Sequence, residues 1–99
     1  MPEMRPGDYQ FRLFVAAGEA NSRRAEENLR RLCRERLSGR HQIEVVDVLE
    51  DFESALQAQI MVAPTLLMIA PWPATFYGTL ANREKILAAL GLEGDDHRS

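Results

Sequence analysis

Cys33 is the one thiol in this chain of 99 residues. A lone cysteine excludes an internal disulfide and any two-cysteine redox centre. Reactive thiols sit at helix N-termini or beside cations, which stabilise the thiolate. Cys33 is instead expected about three turns into a helix, on its apolar stripe, which makes it a buried structural thiol. A lone peroxidatic thiol is the competing reading, and rapid labelling in the folded protein would reveal it. His41 and His97 are the only histidines and give no metal-ligand spacing. The acids Glu44, Asp47, Glu50, Asp51 and Glu53 crowd the end of the second expected strand, again without a ligand pattern. Most read as solvated or capping groups. Asp47 lies inside an apolar strand, so it is either an exposed alternation position or a half-buried carboxylate with a partner. Ser22, Ser38 and Ser54 have no nearby general base, and no glycine-rich phosphate loop occurs. These residues predict no catalytic centre, cofactor or metal, and they turn attention to binding.

Two features break local rules. Arg23 and Arg24 fall in the first turn of a long helix, where the helix dipole already presents positive charge. Either Arg23 pairs with Glu27 and Arg24 is tolerated, or an acidic partner surface docks there. Trp72 stands between Pro71 and Pro73, either as a satellite of the core or as an anchor for a partner. A third feature is Pro64 in the apolar run Met61-Val-Ala-Pro-Thr-Leu-Leu67, because proline cannot donate to a sheet ladder.

The elements that position these residues follow from periodicity. The composition is 45% hydrophobic and 27% charged with a net charge of −3, ordinary for one soluble domain and without the basic excess of a nucleic-acid binder. No run is long and apolar enough to cross a membrane, and MPEMRPGDY lacks the apolar core of a signal peptide, so a cytoplasmic location is expected. Residues 1–8 read as a disordered lead-in, 9–91 as the domain and 92–99 as a polar tail. Tyr9–Val15 alternates at period two, with Phe11, Leu13 and Val15 on one face and Phe14 on the other. A helix capped by Asn21 or Ser22 runs to about Leu37, with Ala25, Leu29, Leu32, Cys33 and Leu37 inward. Its outer face offers the pairs Glu26–Arg30, Glu27–Arg31 and Arg31–Glu35. Ile43–Leu49 is a strand apolar enough for a central position, parallel to the first. Glu50-Asp51 caps a short helix over Phe52–Gln59 with Phe52, Ala55 and Leu56 inward and Ile60 as a further candidate for that face. Thr65–Ile69 and Thr75–Tyr77 form a hairpin, Gly78 ends it, and Asn82 caps a last helix over Arg83–Leu90. The order is βαβαββα.

The Ala63-Pro64-Thr65 corner resembles that of thioredoxin-like domains, here without their cysteines. Phe14-Val-Ala-Ala-Gly18, Asn21-Ser22 with Arg24-Ala25, Val46-Asp-Val-Leu49, Ala63-Pro-Thr-Leu66, and Gly78 with Leu80-Ala-Asn-Arg-Glu-Lys-Ile-Leu87 together resemble the circadian clock protein KaiB family across residues 9–91. The resemblance implies a single α/β domain, thioredoxin-like βαβαββα, or the family's alternative βαββααβ arrangement. It implies a non-enzymatic regulator that binds a KaiC-type RecA-like ATPase, as a monomer in the first fold and in a homo-oligomer, dimer or tetramer, in the other. The implied contact residues, taken with the rule-breaking ones above, are Tyr9, Arg23, Arg24, Pro64, Met68, Trp72, Gly78 and Arg83. Thr79, Ala74-Thr75 and Met68 stand where the family pattern carries charge. This implies a member outside the standard oscillator, in clock-like or stress signalling. The rival is a degenerate thioredoxin-like sensory module that binds a histidine kinase or another signalling domain.

Overall fold

The structure, a computed structural model, describes residues 8–92; most of the expected lead-in and tail, with His97, lies outside the described residues. The chain forms β1 (Tyr9–Val15), α1 (Ala20–Arg36), β2 (His41–Asp47), α2 (Phe52–Gln57), β3 (Thr65–Ala70), β4 (Ala74–Tyr77) and α3 (Arg83–Ala89). This is the thioredoxin-like βαβαββα order. The strands lie in the order β2-β1-β3-β4. β1 runs parallel to β2 and antiparallel to β3, and β3 and β4 form the antiparallel hairpin. No helix among the described residues is long and apolar enough to cross a membrane.

Alternation in β1 sends side chains to two separate cores. Phe11, Leu13 and Val15 meet Ala25, Leu29, Leu32 and Cys33 of α1, together with Ile86 and Leu87 of α3. Phe14 points the other way and meets Val46 and Ala55, with Leu67 packed beside them. So α1 and α3 cover one face of the sheet and α2 covers the other.

Three local expectations need correction. β2 begins at His41, two residues before the expected start, and it is an edge strand rather than a central one. Pairing starts at Tyr9↔His41, and β3 takes the other side of β1, so the second interior slot goes to β3. After Asp47 the chain turns, and the Asp47 carbonyl accepts from the N–H groups of Glu50 and Asp51. The cap of α1 is also different. The helix starts at Ala20 behind Glu19, with no side-chain cap, which places Asn21 and Ser22 inside its first turn. Ser22 is buried, and its hydroxyl oxygen accepts from the Ala16 N–H at 2.9 Å.

The third correction concerns α2. Of the expected Glu50-Asp51 cap, Asp51 is the capping residue, accepting from the Ser54 N–H. Of the expected inward residues, however, Ala55 is buried and Ile60 packs beside it, while Phe52 and Leu56 are exposed. At about 100° per residue, a contact stripe centred between Ala55 and Ala58 leaves Phe52 and Leu56 about 90–130° around the helix. The helix ends at Gln57, two residues early. Gln59 takes φ +60°, its N–H donates to Leu56 O, and the Ile60 N–H donates to Ala55 O, which is a Schellman end. α3 ends the same way with Gly91 in that place, and the Leu92 N–H donates to Leu87 O. Leu92, placed with the tail by sequence, thus packs against the core.

Candidate interaction surface

Strand register gathers several loops at one end of the sheet. Val15 pairs with Asp47, Phe14 with Thr65, and Thr65 with Tyr77. The turn before α1, the turn before α2, the Pro64 loop and Gly78 therefore share that end. Asp47 ties two of them. One of its carboxylate oxygens accepts from the Ala17 N–H at 3.3 Å and from the Leu49 N–H at 3.0 Å. Of the two readings of Asp47, the half-buried, partnered carboxylate is the one observed. Pro64 is buried, its carbonyl accepts from the Gly78 N–H, and the Thr65 hydroxyl donates to Val62 O at 2.6 Å. The Ala63–Pro64 and Ala70–Pro71 peptides are cis.

The first turn of α1 rises from this end. Arg23 does not reach Glu27; its guanidinium donates to Gly18 O at 3.1 Å and straps the turn instead. Arg24 is exposed and makes no ion pair or hydrogen bond among the described residues. Along α1 the Glu26–Arg30 pair forms at 3.0 Å, but Arg31 donates to Asn28 and Glu35 pairs with Arg83 at 2.7 Å.

The sequence-derived contact residues thus divide. Arg23, Arg24, Pro64 and Gly78 lie at the loop end. Tyr9 and Trp72 lie at the opposite end. Tyr9 is buried, with its hydroxyl donating to Leu90 O, and Trp72 is half exposed, with its indole N–H donating to Ala89 O at 3.3 Å. Met68 is in the core and offers a partner no side-chain surface in this conformation; the same holds for Tyr9 and Pro64. Arg83 is held against α1 by Glu35. What sequence reasoning missed is the exposed apolar set Phe52, Leu56, Met61, Val62 and Tyr77. The pairing of Phe52 with Leu56 one turn apart is legible in the sequence, and the fold turns it outward.

Reactive chemistry is sparse among the described residues. Burial pushes the Cys33 thiol up to about 12, against a smaller opposing pull from Arg30, so no thiolate is available near pH 7. His41 begins β2, and its Nδ1–H donates to Leu37 O at 2.7 Å. No group of three or more potential metal ligands occurs among the described residues. A cleft of about 490 Å³ opens between β4 and α3, lined by Phe76, Thr79, Leu80, Asn82 and Lys85. The Asn82 side-chain oxygen there is already used, capping α3 through the Lys85 N–H.

Residues 12–92 match the family model described as the KaiB domain. This chain belongs to the KaiB family. It is 35% identical over 83 residues to circadian clock protein KaiB3 of Synechocystis, covering 83% of this chain and 81% of that protein. It is 36% identical over 89 residues to circadian clock oscillator protein KaiB of Prochlorococcus marinus, covering 89% and 85%. Among solved structures, the N-terminal domain of Synechococcus elongatus SasA superposes with a TM-score of 0.72 at 14% identity, over 100% of this chain and 94% of that one. Chloroplastic thioredoxin z gives 0.70 at 20% identity, over 86% and 80%. The two structural likenesses show the shared fold. Within it, this KaiB-family chain runs Gly18-Glu-Ala-Asn-Ser-Arg-Arg24 through the turn after β1 and into the start of α1, with no cysteine in that stretch.

Proposed function

We propose that this KaiB-family chain is a non-enzymatic regulator that docks on a KaiC-type RecA-like ATPase and shifts its conformational equilibrium, in clock-like or stress signalling. The observation that supports this reading most is the loop end of the sheet. It keeps the Pro64 corner and an exposed Arg24 that has no ion pair among the described residues, and it carries no thiol. A surface of that kind recognises a partner rather than transforming a substrate. Such a regulator works only through different affinities for the partner's states. Sedimentation with a cognate KaiC homologue, with and without nucleotide, tests it. The expected result is a complex whose stability depends on the nucleotide, and no complex under either condition overturns the reading. Arg24→Ala is expected to weaken that complex by about 1 kcal/mol without altering the thermal midpoint. An unchanged affinity removes Arg24 from the contact.

A further inference from the structure

The sheet is covered unevenly. Among the described residues α1 and α3 pack on one face, and α2, six residues long, is the one helix on the other. Eight large apolar side chains are exposed among the described residues, and all but Trp72 belong to α2, its flanks or its face. Phe52 and Leu56 are on α2, Leu49 precedes it, and Met61 and Val62 follow it. Met61 is 90% exposed, and each of the other four is more than half exposed. Alternation puts Ile69 beyond Leu67, and Tyr77 opposite the inward Phe76, so both lie on the α2 face. Exposed apolar surface on this scale marks an interaction site.

The charge around it has one sign. No lysine or arginine occurs between Arg40 and Arg83, while Glu44, Asp47, Glu50, Asp51 and Glu53 all do. Arg12, the one cation that β1 sends to this face, is held by Glu44 at 3.0 Å. Asp47 and Asp51 are engaged with backbone N–H groups. Glu50 and Glu53 make no ion pair among the described residues. A second copy fits poorly, because the basic helix α1 exposes arginines but no large apolar side chain. An anionic lipid surface is repelled by the same carboxylates.

We propose that the α2 face docks a basic amphipathic helix of a different protein. Its apolar side chains lie on Phe52, Leu56 and Tyr77, and its lysines or arginines face Glu50 and Glu53. The incoming helix supplies the second layer that α2 alone is too short to complete. This goes beyond the ATPase reading, since it places no contact at Arg24.

A synthetic helical peptide of about 18 residues, leucine on one face and lysine on the other, is the probe. A glutamate counterpart is the control. Amide shifts in a titration are expected at residues 49–62 and around Ile69 and Tyr77. Affinity is expected to fall at least about tenfold in Phe52→Asp or Leu56→Asp, and several-fold in the double charge reversal Glu50→Lys with Glu53→Lys. These positions are exposed, and an unchanged far-ultraviolet spectrum verifies folding. Arg24→Ala is expected to leave peptide binding unchanged while weakening the ATPase complex, so the two readings fail separately. No binding, equal binding of the glutamate peptide, shifts that map elsewhere, or self-association through Phe52 and Leu56 overturns the proposal. Attachment to phosphatidylserine vesicles through this face overturns it too.

Discussion

Asp47 shows how one side chain sets the shape of a surface it barely touches. A single carboxylate oxygen receives N–H groups from the turn before α1 and the turn before α2. Hydrogen bonds to an ionised acceptor are worth about 1.5–3 kcal/mol where water is partly excluded. Asp47→Ala is therefore expected to lower unfolding free energy by about 1–3 kcal/mol in a urea titration, with faster amide exchange at Ala17 and Leu49. An unchanged midpoint would show that water replaces both contacts. The sequence placed an acid in an apolar strand but left its environment open. Period two decides which face a side chain takes, and it is silent about which loop N–H groups the fold brings to it. Arg23 has the same history. Its helix spacing offered Glu27, yet the carbonyl of Gly18 was nearer once the turn had closed.

α2 is held by its ends as much as by its packing. Asp51 accepts from the Ser54 hydroxyl and from the Ser54 N–H, and these bonds, the hydroxyl first, hold its carboxyl below the usual carboxylate range. Because the folded value is depressed, the cap's contribution is complete above the ordinary carboxylate range and fades as pH falls through the lowered folded value. Exchange protection factors in 52–57 are expected to decline on acidification ahead of those in β1, and Asp51→Asn is expected to flatten that difference. At the other end, Gln59 occupies the left-handed position that α3 gives to Gly91. Gln59→Gly is expected to stabilise the domain by up to about 1 kcal/mol, read as a higher thermal midpoint, with the unfolded-state entropy of glycine opposing part of the gain. Order and type of every element were legible, because Tyr9–Val15, the Leu29–Leu37 stripe and the caps Asp51 and Asn82 carry local signals. The edge position of β2 was not. Ile43 and Val45 read the same whether a strand is flanked on one side or two, and only the pairing of β3 with β1 decides it. The orientation of α2 failed for a related reason: six residues give two apolar stripes, and the sheet chose the one with small side chains.

Across the whole molecule, the sheet separates a large core under α1 and α3 from a small one under α2. The large core is closed by Tyr9, whose hydroxyl donates at 2.9 Å to the carbonyl of Leu90, 81 residues away. Tyr9→Phe leaves that buried carbonyl short of a donor and is expected to cost about 0.5–1.5 kcal/mol in equilibrium unfolding. Tyr77→Phe, at an exposed ring, is expected to cost nothing measurable. A Tyr9→Phe midpoint equal to the parent's would mean that α3 is anchored by its apolar contacts alone. The same contact has a practical side. Tyr9 and Leu92 bracket the domain, and both sit where β1 begins and α3 finishes. β1 then runs seven residues, about 20 Å, before the chain reaches the turn that leads to Arg23 and Arg24. A fluorophore or affinity handle attached beside Tyr9 or Leu92 sits at the far pole, so protein immobilised there offers its arginine-bearing tip outward to whatever flows past.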